Sequence, residues 1–144
     1  MPNDPVLPVP EPEALPFFEA TARGELRVQR CVDTGRLIFP PRPMSPWGER
    51  REPEWVPVSG RGTIWSFVVP HPPVLPQFAD LAPYNVIVVA LDEDPTIRLV
   101  GNLVASEQGR IDEVDPATIE IGAPVRAVFQ PLDAEFTLAR WMLA

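Results

Sequence analysis

Apolar and polar residues alternate with a period of two over much of the chain from residue 26 onward, the signature of half-buried strands. Leu26-Arg-Val-Gln-Arg-Cys31 alternates, Asp33-Thr34-Gly35 supplies turn residues, and Arg36-Leu-Ile-Phe39 returns, which predicts a hairpin. Further strands are predicted at 55–58, 62–69, 84–91, 97–104, 124–129 and 136–141, with Asp92-Glu93-Asp94-Pro95 as the turn between two of them. Strict alternation in 62–69 puts Ile64, Ser66 and Val68 on one face and Trp65, Phe67 and Val69 on the other. Both faces are apolar, so this strand is expected to be covered on both sides. One segment has helical spacing instead: over 16–23, Leu15, Phe18 and Ala22 share a side, flanked by Phe17 and Thr21. Pro16 suits the first turn of that helix and Gly24 its end. Five or six strands within about 90 residues, with no helix between them, predict a mainly β fold ending in a small closed barrel.

The segments between these elements are rich in proline, which accounts for 21 of the 144 residues. Residues 1–14 carry five prolines and no periodicity, and read as an extended arm. Residues 40–53 hold too much proline and glycine for regular structure, and 71–83 form a long proline-rich loop of a kind that often carries function. Residues 111–122 are expected to hold a short turn or 3₁₀ segment started by Asp115-Pro116. The chain thus divides into arm and helix (1–24), a knuckle-like hairpin (25–53) and a barrel (54–144).

Composition narrows the function. There is one cysteine and one histidine, no lysine, and a net charge of −8. Cys31 alone makes neither an intrachain disulfide nor a four-thiolate zinc site. The acidic balance repels nucleic-acid backbones and anionic membrane surfaces. The longest apolar run, 86–91, is far too short to span a bilayer. The acidic, proline-broken N-terminus resembles neither a signal nor a transit peptide, which makes the cytoplasm the expected location. Nothing brings Cys31 and His71 together as a nucleophile pair. Asp92, Glu93 and Asp94 read as a solvated turn, and Gly60-Arg61-Gly62 as a bend rather than a phosphate loop. No nucleophile elbow or metallohydrolase motif is present, so no catalytic residue is assigned. Over 35–62, Arg36, Arg42, Arg50, Arg51 and Arg61 face only Glu49, Glu52 and Glu54, either as an anion-binding edge or as self-paired surface charge. Trp55, Trp65, Phe67 and Phe78 leave open a stacking platform for bases.

Several strings, in order, resemble one family. Phe18-Glu19, Gly24-Glu-Leu-Arg-Val-Gln-Arg-Cys31, Gly35-Arg-Leu-Ile-Phe-Pro-Pro-Arg-Pro43, Glu54-Trp-Val-Pro-Val-Ser-Gly-Arg-Gly-Thr63, Leu99-Val-Gly-Asn-Leu103 and Ile121-Gly-Ala-Pro-Val125 are similar to the DUF35 proteins, a rubredoxin-like zinc ribbon followed by an OB-fold. The family's four ribbon cysteines fall here on Cys31, Thr34, Ser45 and Gly48. Hydroxyls and glycine do not replace thiolates, so the resemblance implies a degenerate ribbon without structural zinc, in which Met44, Trp47 and the prolines supply packing instead. It further implies a non-catalytic accessory subunit bound to a thiolase-like or lipid-transfer-type enzyme, such as an acyltransferase, a thiolase or a steroid side-chain aldolase, and helping to form its acyl-CoA channel. Phe17, Phe18, Phe39, Trp47, Trp65 and His71 are then the expected partner or ligand contacts. Arg36, Arg42 and Arg61 would meet the coenzyme A phosphates or partner charge. The competing reading is a stand-alone OB-fold binder of single-stranded nucleic acid or oligosaccharide.

Overall fold

Pro16 lies in the first turn of helix α1 (Leu15–Ala22), which follows a 3₁₀ turn at Pro12–Ala14. These elements belong to a computed structural model that describes residues 4–144; the first three residues of the predicted arm lie outside it. Gly24, at φ 73°, ends the helix. The Glu25 N–H reaches the Ala20 carbonyl and the Gly24 N–H the Thr21 carbonyl, the paired bonds of a Schellman stop. Thr21 is buried, and its hydroxyl donates over 2.6 Å to the carbonyl of Thr137, with the Phe18 carbonyl 3.0 Å away. That bond fixes the helix to the far end of the chain.

The hairpin forms as predicted. Strands β1 (Leu26–Arg30) and β2 (Leu37–Ile38) pair antiparallel, and β3 (Glu54–Val58) adds to the other side of β1, from Leu26 opposite Val58 to Arg30 opposite Glu54. The buried residues Leu26 and Val28 join the same apolar cluster as Ile64, Ile87, Val89, Leu99, Leu103, Val125 and Trp141. Ribbon and barrel therefore share one core. Ser59 marks the joint. Its N–H and hydroxyl both bind the Glu93 carboxylate, at 2.6 and 3.0 Å, so the acidic turn predicted to be a free tip instead holds the ribbon-to-barrel corner.

The second sheet has the order β6-β5-β4-β7-β8, built from β4 (Arg61–Val68), β5 (Val86–Leu91), β6 (Arg98–Gly101), β7 (Pro124–Pro131) and β8 (Thr137–Leu143), all antiparallel. The expected barrel is a curled sheet whose edges meet at one place. Leu103 bridges Trp141 in parallel, with the Val104 N–H on the Trp141 carbonyl and the Trp141 N–H on the Asn102 carbonyl. Glycine permits two close approaches: a Cβ at Gly62 would collide with the Ala90 carbonyl oxygen, and one at Gly101 would lie 2.9 Å from the Trp141 indole. The 3₁₀ turn expected near residue 115 is Pro116–Thr118, with the Asp115 carboxylate accepting the Ala117 N–H.

The face assignment of β4 needs correction. Ile64 pairs with Val89 but Ser66 with Val88, leaving Trp65 as an extra residue in a β-bulge. The bulge shifts the alternation by one, so Ile64 and Phe67 both pack on the core while Trp65 and Val68 point out. Strict period-two reading had placed Ile64 with Val68 and Trp65 with Phe67. The cover expected on both sides, from the core and from the ribbon, the helix or another subunit, is within this chain present on the core side only: Trp65 is 49% and Val68 61% exposed in the isolated chain.

Candidate functional site

Three features outside the core carry chemistry: the knuckle, an apolar cleft and an outer sheet face. In the knuckle, Cys31 and Ser45 are each 1% exposed. The Cys31 N–H binds the Arg36 carbonyl and its carbonyl accepts the Gly35 N–H, while the Ser45 Oγ accepts the Trp47 N–H at 3.2 Å. Hydrogen bonds from the Ser45 and Thr34 hydroxyls, outweighing burial, lower the Cys31 pKa to about 7. The remaining position is closed by a neighbour. Gly48 sits at φ 63°, and a Cβ there would lie 2.5 Å from Asp33 Oδ2 and 2.6 Å from Asp33 Cβ. The Asp33 carboxylate accepts the Glu49 N–H at 2.8 Å and meets Arg51 at 3.4 Å, spanning the loop ends where the family places metal ligands. Gln29, buried on β1, clamps the loop further through two bonds to the Arg42 backbone, at 2.7 and 2.8 Å. Arg36 stacks on Trp47 at 3.8 Å from its ring centre. Met44, expected to fill the knuckle, is exposed. One thiol, two neutral hydroxyls and a glycine do not fit a structural zinc, and no group of three or more His, Cys, Asp or Glu among the described residues is placed to hold a metal.

The cleft encloses about 700 Å³ between the arm, α1, the 71–85 loop and the barrel. Its apolar walls include Phe17, Phe18, Phe39, Phe78, Tyr84 and Trp141. The phenylalanines form a chain of ring contacts: Phe17 meets Phe18 edge-on at 5.3 Å and Phe39 at 5.9 Å, and Phe18 meets Phe136 edge-on at 5.6 Å. Three of the six predicted contact residues are thus brought together, as one wall. Arg140, which sequence reading passed over, also lines this cleft. In sequence it is only one more arginine in a strand, and its setting depends on partners at 102 and 130.

The other predicted contacts are dispersed. Trp65 lies on the outer face of the barrel sheet, where Arg98 stacks on it at 3.7 Å. Val68 and the 70%-exposed Val100 extend that face, and Val100 pairs with Val88, which in turn pairs with Ser66. Trp47 belongs to the knuckle, and His71 is exposed in the loop beyond β4. No hydrogen bond joins His71 to the buried Cys31 among the described residues. The arginines have separate settings. Arg36 lies on Trp47 and near the Asp94 turn, where it lowers the Asp94 pKa, though less than the hydrogen bonds from Thr96 do. Arg42 is held through its backbone by Gln29, and Arg61 is exposed at the start of β4.

Comparison with known proteins sets these features in a family. Residues 18–44 match a family model described as the ChsH2 rubredoxin-like zinc ribbon domain, and residues 55–130 one described as the ChsH2 C-terminal OB-fold domain. The chain is 38% identical over 114 residues to a 3-oxo-4,17-pregnadiene-20-carboxyl-CoA hydratase alpha subunit of Mycobacterium tuberculosis, and 36% identical over 122 residues to a probable enoyl-CoA hydratase alpha subunit of Thermomonospora curvata. These matches cover 78% and 85% of the chain, but only 32% and 34% of the relatives, so it spans about a third of their length. A DUF35 domain-containing scaffold protein of Methanothermobacter thermautotrophicus is 35% identical over 114 residues, 78% of this chain and 77% of that one. Among solved structures, a chain of an Ltp2-ChsH2(DUF35) aldolase superposes with a TM-score of 0.80 at 33% identity, covering 95% of this chain and 98% of that one. A DUF35 protein of unknown function from Sulfolobus solfataricus, 13% identical with a TM-score of 0.58 over 92% of this chain and 86% of its own, shares the fold.

Proposed function

The chain belongs to the ChsH2 family of DUF35 proteins, zinc ribbon followed by OB-fold, and from that membership we propose that it is a non-catalytic accessory subunit of an acyl-CoA-processing enzyme. Its partner on this reading is a thiolase-like or lipid-transfer-type enzyme acting on acyl or steroid thioesters, whose acyl-CoA channel it helps to form. The observation that carries the proposal is the full-length likeness to one chain of an Ltp2-ChsH2(DUF35) aldolase, in which almost nothing of either chain is left over. The hydratase alpha subunits support the same chemistry, since both bear CoA-thioester names.

The surfaces support it too. The bulge at Trp65 turns a large aromatic outward beside Val68 and Val100, giving an apolar patch of the kind that marks an interface. Arg36, Arg42 and Arg61 are the residues we assign to coenzyme A phosphates or partner carboxylates, and His71 to a partner contact. The ribbon serves as a metal-free platform, because Asp33 takes the space and Arg51 and Gln29 the tethering that a metal would supply. No nucleic acid or membrane partner belongs to this reading: the charge of −8 opposes the first, and no described helix is long and apolar enough to cross a bilayer. A lone unpaired thiol suits the cytoplasm.

Co-expression with a thiolase-like protein encoded beside it tests the proposal. The two are expected to co-elute, and Trp65→Asp to abolish co-elution while leaving the melting temperature of the isolated chain within a few degrees. Separate elution, with the partner fully active alone, would overturn it.

A further inference from the structure

Arg140 lies on β8, partly buried, and among the described residues it forms no ion pair with a carboxylate. Its Nε donates to Gln130 Oε1 at 3.1 Å and its Nη1 to Asn102 Oδ1. Both acceptors are neutral amides, and each is itself held in orientation. The Gln130 Nε2 donates to the Glu107 and Gly109 carbonyls, at 3.0 and 2.9 Å, which turns its oxygen to the guanidinium. The Asn102 Nδ2 donates to the Asn85 carbonyl at 2.6 Å, with the same effect. Asn85 is anchored in turn: fully buried, it accepts the Leu103 N–H at 2.6 Å and donates to the Leu103 carbonyl at 2.9 Å.

Two of the five guanidinium donors are used. Every side-chain nitrogen and oxygen shut away from solvent among the described residues has a partner, so Nη2, which has none, reaches solvent, and Arg140 lines the cleft. Burial lowers the arginine's pKa, and a guanidinium in a protein keeps its charge near neutrality. The result is a fixed cation, with free donors, in an apolar cleft of about 700 Å³, within the roughly 300–1,000 Å³ typical of small-molecule sites. Asp4 also lines the cleft, but Arg140 makes no ion pair among the described residues, and a partly buried charge without a direct counter-charge is costly. Arg110, the other arginine at the cleft, is different: its Nε and Nη2 bind the Asp112 carboxylate at 3.0 and 2.9 Å.

We infer that the cleft is a recognition site for a carboxylate on an apolar stem, the carboxylate meeting Arg140 and the stem lying along Phe17, Phe18, Phe78 and Tyr84. This does not rest on the accessory-subunit reading, and its test uses the isolated full chain. Decanoate, below its micellar concentration, and 1-decanol are titrated by calorimetry. Decanoate is expected to bind at least tenfold more tightly than the alcohol, although the chain's net charge of −8 works against adsorbing any anion. Arg140→Gln is expected to weaken decanoate binding roughly 10- to 100-fold, the range for a lost charge-assisted hydrogen bond, and to leave decanol within twofold. Arg30→Gln, on β1 outside the cleft lining and paired with Glu54, is expected to change neither. Equal affinity for acid and alcohol, no binding of either, or undiminished decanoate binding by a folded Arg140→Gln protein would each overturn the inference. The acid-to-alcohol comparison needs only the unmodified chain, so it is decisive even where the variant does not fold.

Discussion

Gly48→Ala puts the smallest possible side chain where the family places its last zinc ligand, and the knuckle geometry sets the cost. Glycine adopts φ 63° without penalty, whereas an L-residue in the left-handed region loses about 1–2 kcal/mol. The new Cβ would lie 2.5, 2.6 and 2.9 Å from Asp33 Oδ2, Cβ and Cγ. Rotating the carboxylate away does not relieve the contact with the Asp33 Cβ, so the main chain must shift. The bond from the Glu49 N–H, worth about 1 kcal/mol, goes with it. The exposed Arg51 pair adds almost nothing. The sum is about 2–4 kcal/mol, or roughly 6–12 °C in melting temperature for a chain of this size. Thermal and urea unfolding followed by tryptophan fluorescence measures it. In an Asp33→Gly background the steric part disappears, and Gly48→Ala should cost only the backbone penalty of about 1–2 kcal/mol. If it costs as much there as in the unmodified chain, Asp33 does not fill the fourth ligand position and the reasoning is wrong.

Two further outcomes follow from the same structure. Asn85→Ala strands the Leu103 N–H and carbonyl in the core, so it should destabilise by about 2–4 kcal/mol; Asn102 donates to the main-chain carbonyl of residue 85, which the variant keeps, so decanoate binding by the folded protein should stay within about threefold, both read in one calorimetric series. For Cys31, the folded pKa of about 7 lies below the ordinary thiol value of 9.0, so between these pH values the unfolded chain binds more protons. Stability should therefore rise from pH 7 to 9 and fall again as pH drops through 7, and Cys31→Ser should remove that slope in urea titrations.

The elements that were legible in the sequence are those whose pattern is local. The hairpin of β1 and β2 follows from alternation and an Asp-Thr-Gly turn, and α1 from a proline start and a glycine stop. The family strings fixed the order of ribbon and barrel. What escaped depends on contacts across the chain. The bulge at Trp65 is a register shift against β5, which one strand alone does not reveal. Glu93 reads as a solvent-facing turn residue until Ser59, 34 positions earlier, is folded against it. Asp33 is an ordinary turn residue until Gly48 lies on it. Arg140 becomes distinctive only when Gln130 and Asn102, neutral amides, are seen to be its hydrogen-bonding partners. The family resemblance implies contact roles for Phe17, Phe18 and Phe39, but their meeting in one wall requires the tertiary fold.

The bond from Thr21 to Thr137 spans 116 positions, and it bears on the order of assembly during synthesis. A ribosome extrudes helix α1 and the ribbon before the strand that holds the helix and seals the sheet at Leu103. A nascent chain stopped short of residue 137 leaves Thr21 only the Phe18 carbonyl of its own helix, and has no indole to fill the space at Gly101 and no Arg140. Contacts this distant in sequence slow folding and make it depend on the whole chain. The cleft around Arg140 therefore matures only once β8 has been made, and products truncated before it do not present that site.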